Sequence, residues 1–156
     1  MFHIGELVCY PMHGVGRVEA IEEHSVLGET AQYYLLRFIA GRMTAMIPVS
    51  GAQAVGLRPI ADPQTCQDMI RFLSDNVYAT ESENWNQRYR DNLDKLKEGR
   101  IDNVACVVKA LMRREKEKGL SAGERKMFLT ARQVLIAELA ASTGRSEAEL
   151  LPLVGG

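Results

Sequence analysis

The chain has 156 residues, 46% of them hydrophobic and 25% charged, enough for one sizeable core or two small ones. No run approaches the ~20 apolar residues of a membrane span, and the start Met1-Phe2-His3-Ile4-Gly5-Glu6 lacks the basic then apolar pattern of a secretory signal, so a cytoplasmic protein is expected. The formal net charge of −1 conceals an uneven spread: residues 85–132 carry 13 Lys or Arg against seven acids, whereas residues 63–84 carry one Arg against four.

In chain order, Leu7-Val8-Cys9-Tyr10 is a short apolar run closed by Pro11, and Gly14 and Gly16 mark a tight turn or a close backbone approach. Val15 to Ile21 alternates like a strand. Glu22 to Thr30 is polar, contains Gly28 and reads as a hairpin connection. Tyr33 to Ile39 and Met43 to Ile47 read as strands, the second stopped by Pro48. Leu57-Arg58-Pro59-Ile60 is placed to close the sheet. Four or five short strands in about 60 residues predict a small twisted barrel over residues 1–62.

Residues 63–156 read as an all-α domain of four to five helices, making the fold class α+β. The first helix follows Asp62-Pro63, carries Cys66, Met69, Ile70, Leu73 and Val77 at helical spacing and is expected to end near Asn76. A polar connection leads to a helix with Trp85, Tyr89, Leu93 and Leu96 on one stripe, capped by Ser82 or Asn84 and stopped by Gly99. The next starts at Asp102 or Asn103 and ends in the charged run 113–118. Leu120-Ser121-Ala122-Gly123-Glu124 is a capping box for a helix reaching about Ala141. Ser146 caps a last short turn, and residues 151–156 are expected to fray.

The motifs of common enzymes are absent: there is no Gly-rich loop ending in Lys-Ser/Thr, no H-E-x-x-H and no G-x-S-x-G. His3, Cys9, His13 and His24 do not have compact metal-ligand spacing. Neither cofactor nor metal is expected. Cys9, Cys66 and Cys106 are odd in number and widely spaced, and read as reduced, packed thiols. The chain therefore reads as a binding module, with a small enzyme built around a polar pocket as an outside alternative. The Leu120–Gly123 turn brings Arg113 and Arg114 near Arg125 and Lys126, a patch suited to duplex phosphate. The same cations also read as solvated helix faces. Trp85, the only Trp, opens a stripe that reads as core, yet at a helix start it is also placed to wedge into a minor groove, with Asn84 beside it for bases or phosphates.

Several blocks, in order, resemble the CarD/CdnL transcription regulators of bacteria. They are residues 5–16 (GELVCYPMHGVG), Tyr33-Tyr34-Leu35-Leu36, Ile47-Pro48-Val49, Gly56-Leu57-Arg58, residues 84–90 (NWNQRYR), Lys95-Leu96-Lys97-Glu98-Gly99 and Leu120-Ser121-Ala122-Gly123-Glu124-Arg125. The resemblance implies a Tudor-like (SH3-like) β domain that binds the RNA polymerase β subunit, and a helical domain that binds promoter DNA at the upstream edge of the bubble without strong sequence preference. It implies that Trp85 wedges into the minor groove and that basic contacts fall on or near Arg88, Arg90, Arg125 and Lys126. The implied activity is stabilisation of the open promoter complex by a monomer, with no enzymatic step. On the polymerase side, Ile47-Pro48 matches the family pair. Met46 stands where an Arg is usual and His24 at a second basic position, with Arg42 as a substitute cation. The rival reading is a polymerase-binding adaptor that never touches DNA.

Overall fold

The structure, a computed structural model, describes residues 1–155. Five antiparallel strands, β1 (Leu7–Tyr10), β2 (Gly14–Val26), β3 (Glu29–Phe38), β4 (Thr44–Pro48) and β5 (Arg58–Pro59), form one sheet in the order β4-β3-β2-β1-β5. Five helices follow: α1 (Pro63–Ser74), α2 (Trp85–Glu98), α3 (Ile101–Glu117), α4 (Ala122–Thr143) and α5 (Glu147–Leu150). This is the expected α+β arrangement.

β1 turns back at Pro11 and Met12, and Cys9 pairs with Val15 across the turn. Gly14 there has φ 101°, a backbone state that side chains disfavour. At Gly16 the expected close approach is real, since an added Cβ would lie 3.4 Å from the Arg37 carbonyl oxygen. The pairing of β2 with β3 runs to Val26 opposite Glu29. Glu22 to Thr30 is therefore almost entirely strand, not connection, and the turn is only Leu27-Gly28, with φ 52° and 80°. The hairpin outruns both neighbouring strands, so neither of its faces is packed on a core and it carries no apolar alternation to read. A bulge between Val18 and Ala20 shifts the register. β5 adds to β1 at the edge far from β4, and among the described residues these two outer strands share no ladder. Val8, Val18, Tyr34, Leu36, Ile47, Ala52 and Leu57 form the core of the sheet.

The helices begin where their caps dictate. Asp62 accepts the Thr65 amide at 2.7 Å, Asn84 the Gln87 amide at 3.0 Å, and Ser121 the Glu124 amide at 3.2 Å. α3 starts at Ile101 rather than Asp102 or Asn103, and the Arg100 side chain, bonded to Asp102, caps no backbone amide. Val104, Val108, Leu111, Phe128, Leu135 and Leu139 are central to the helical core. Residues 151–154 are not frayed: Leu151–Val154 forms a 3-10 turn, and Val154 is fully buried in that core, while Gly156 lies outside the described residues.

The two halves meet along a seam. Arg58 donates to both Glu138 carboxylate oxygens, at 2.6 and 2.8 Å, and to the Gly99 carbonyl at 2.9 Å. Glu138 also accepts the Ala61 amide at 2.7 Å, and the Ser142 hydroxyl donates to the Ala61 carbonyl at 2.6 Å. Pro11 packs on Gly99 and Gly56, where added Cβ atoms would meet its Cγ at 2.5 and 2.9 Å.

Candidate functional site

The start of α2 lies against the start of α4. The Trp85 ring stacks on Tyr89 one turn later, with centroids 5.0 Å apart and planes at 17°. Its Nε1 donates to Ser121 Oγ at 3.2 Å. Trp85 remains 42% exposed, so the reading of it as a core residue does not hold; Tyr89 alone joins the core margin.

Arg88 departs from expectation. Instead of facing solvent it is 3% exposed, and its Nε donates to Glu124 Oε2 at 3.1 Å. Its Nη1 donates to the carbonyls of Ser82 and Glu83. The cause is that Glu124, buried by the α4 packing, requires a cationic partner. Burial pushes the Glu124 carboxyl up, but the Arg88 hydrogen bond and charge, with Ser121, bring it below its ordinary value. Ser121 donates its hydroxyl to the same carboxylate at 3.3 Å, and Arg114 Nε lies 3.9 Å away. Arg88 thus anchors the base of the site and offers no free guanidinium at its surface.

Arg113 and Arg114 lie at the end of α3 and Arg125 and Lys126 at the start of α4; Arg113, Arg125 and Lys126 are exposed and Arg114 is half-buried. Arg90, on α2, is exposed, but nothing among the described residues joins it to those cations. Several already have acidic partners: Arg125 with Glu115 at 3.3 Å and Arg113 with Glu117 at 3.1 Å. Arg113 also lies over the Tyr78 ring, 4.4 Å from its centroid. Asn84 is exposed, with its Oδ1 engaged in capping. An open cleft of about 300 Å³ between residues 78–83 and α3 holds one further pair, Lys118 and Glu83 at 3.9 Å.

Sequence reasoning missed Ser121, Gly123 and Glu124 as parts of the Trp85 site. Their signal was present, but the capping box explains them as a purely local motif. Gly123 lies under both rings: an added Cβ would sit 3.6 Å from Tyr89 Cε2 and 3.8 Å from Trp85 Cζ2.

A second surface lies on β4, which pairs only with β3 among the described residues. Met46 is 45% exposed, Arg42, Met43 and Pro48 are exposed, and Met46 pairs opposite Leu35. Ile47 points the other way: at 3% exposure it belongs to the sheet core, as strand alternation requires, and its side chain offers no contact surface. His24 stands apart on the projecting hairpin, its Nε2 2.8 Å from Glu22 and its ring edge-on to Tyr33.

A five-stranded sheet with an exposed β4 edge is thus joined, through the buried Arg58–Glu138 pair, to a helical unit that carries the half-exposed Trp85. Residues 2–61 match the model of the CarD-like/TRCF RID domain, and residues 68–154 match that of the CarD C-terminal domain. The chain belongs to the CarD family of transcription regulators. It is 41% identical over 154 residues to a Bacillus subtilis (strain 168) protein named "Putative transcription factor YdeB", spanning 96% of this chain and 97% of that one. The solution NMR structure of the 72-residue N-terminal domain of Myxococcus xanthus CarD is 30% identical, covering 38% of this chain and 79% of that chain with a TM-score of 0.34.

Proposed function

We propose that this protein binds RNA polymerase through its sheet and stabilises the promoter open complex through its helical half. The β4 edge with Met46, Met43 and Pro48 docks on the polymerase β subunit. Arg90, Arg113, Arg125 and Lys126 contact phosphates without reading sequence, and Trp85 enters the minor groove at the upstream edge of the bubble. Docking raises the local DNA concentration, so weak DNA affinity suffices. Trp85 favours the open state because only a distorted duplex has room for its ring, and only that difference moves the equilibrium. The work is done in the cytoplasm by one copy and needs no cofactor.

The observation that carries this reading is the half-exposed ring of Trp85, bonded to Ser121 at the start of α4, a helix whose first turns carry the exposed Arg125 and Lys126. The test is the lifetime of open complexes on one promoter with wild type, with Trp85→Ala and with no protein. Wild type is expected to lengthen it by about 5–150-fold, the range of a 1–3 kcal/mol coupling. The variant should lose that gain while still binding polymerase. Equal lifetimes for a folded variant and wild type would reject the wedge.

One observation favours an adaptor without DNA contact: Arg113, Arg114 and Arg125 each have an acidic neighbour within 3.9 Å. Polymerase binding with no effect of either protein on lifetime would select that reading.

A further inference from the structure

The indole of Trp85 has one polar atom, and the fold uses it. Nε1 donates to Ser121 Oγ at 3.2 Å, and neighbouring Cζ2 is the ring atom nearest the Gly123 position. The polar edge of the ring is therefore turned toward α4, and one face is covered by Tyr89. Ser121 is itself fixed. Its Oγ accepts the Glu124 amide at 3.2 Å and its hydroxyl donates to the Glu124 carboxylate, which Arg88 holds from the other side. The chain from ring to buried ion pair is continuous: Trp85, Ser121, Glu124, Arg88.

We infer that Ser121 is the positioning residue of Trp85, and that by engaging the indole N–H it leaves only hydrocarbon to face DNA. This rests on the wedge reading above and adds what the ring can recognise. A free indole N–H would be a donor pointed at the acceptors of the minor groove, N3 of adenine and O2 of thymine, and would favour some base pairs over others. A ring presenting hydrocarbon alone inserts by shape and stacking, which every base step offers. The tolerance of sequence at the wedge is then a property of Ser121. Residues 121–124 serve two purposes: they cap α4 and set the face that Trp85 presents.

The test uses two substitutions in the full chain. Ser121→Gly removes the acceptor, yet glycine remains a serviceable N-cap, so the helix is little affected. Ser121→Thr retains the hydroxyl. The chain has one Trp, so its indole N–H gives a single resonance whose hydrogen exchange can be followed directly. In Ser121→Gly that exchange should quicken by roughly two- to tenfold, the weight of one hydrogen bond. Open-complex lifetimes are measured in parallel on promoters differing only in the base pair at the upstream bubble edge. The lifetime gain should fall, and its spread across base pairs should widen relative to wild type. Ser121→Thr should restore both. A merely structural role for Ser121 would change stability without changing that spread. Unchanged indole exchange, or faster exchange with the same lifetimes and spread, would overturn the assignment while leaving the wedge standing. Wild-type lifetimes from Trp85→Ala would instead bring down the wedge and this inference with it.

Discussion

Arg58 on β5 and Glu138 in the second half of α4 form a two-point clamp, with nitrogen-oxygen distances of 2.6 and 2.8 Å. Glu138 is buried and Arg58 largely so, and the carboxylate also takes the Ala61 amide. Removing one partner strands the other in a dry seam. Glu138→Ala should therefore cost about 3–5 kcal/mol, and a paired apolar replacement, Arg58→Met with Glu138→Leu, should recover much of it. Urea midpoints at constant slope measure both.

The same seam quiets a thiol. Burial first, and then nearby Glu138, push the Cys9 thiol up to about 12, and burial raises Cys66 too. Against an ordinary value of 9.0, Cys9 holds about a thousandfold less thiolate at the same pH. Iodoacetamide at pH 8 should label half-buried Cys106 first in the native protein, and Cys9 only on unfolding. Peptide mass spectrometry reads the order.

Acid should loosen the Trp85 site. The folded protein holds the Glu124 carboxyl below its ordinary value of 4.5. Its contribution to stability is therefore complete above that value and is lost as pH falls through the folded pKa. Asp75, held down by Lys109, and Asp62, held down by the Thr65 amide, act in the same direction. Wild type should be more stable than Glu124→Gln at pH 7, with the gap narrowing below about pH 4.5 in paired denaturation curves.

Two arginines near the site should separate in their salt dependence. Arg125 is exposed, and Arg125→Ala should lower the slope of log affinity against log salt by roughly one. Arg88 is buried on Glu124, so Arg88→Ala should lower the melting temperature and leave the slope of any folded fraction unchanged. DNA binding titrated at several salt concentrations distinguishes them.

Neighbours on β4 should separate as well. Met46→Glu places a charge on the exposed edge and should abolish polymerase binding with little loss of stability. Ile47→Ala empties part of the sheet core and should cost about 2–5 kcal/mol, with binding reduced only as folding is. Pull-down and thermal melts on both variants test the pair.

The helical half was largely legible because its signals are local. Asn84, Ser121, Gly99 and Gly144 each end or begin a helix through bonds within a few residues, and those bonds are present. The projecting hairpin was not legible, since residues 22–32 pack on nothing that would enforce alternation. The burial of Arg88 was hidden for a different reason. Its partner Glu124 lies 36 residues away, and an arginine bound for an ion pair looks in sequence like one bound for solvent. Ile47 shows the opposite case: its neighbours Met46 and Pro48 are exposed, and period-two alternation alone turns it inward.

Gly99 and Gly56 have φ of 75° and 81°, and both leave room for Pro11. With no side chain on either glycine, the sheet and the helices approach to backbone distance, and the Arg58–Glu138 clamp holds them there. Under the proposed function the molecule is a caliper. One jaw rests on the enzyme and the other, Trp85, marks a fixed point along the duplex. Base pairs rise by about 3.4 Å each, so a bulky side chain at Gly99 that opened the seam by a few ångströms would move the mark by a whole step. The span between the jaws, more than the strength of either grip, would then select where melting is held.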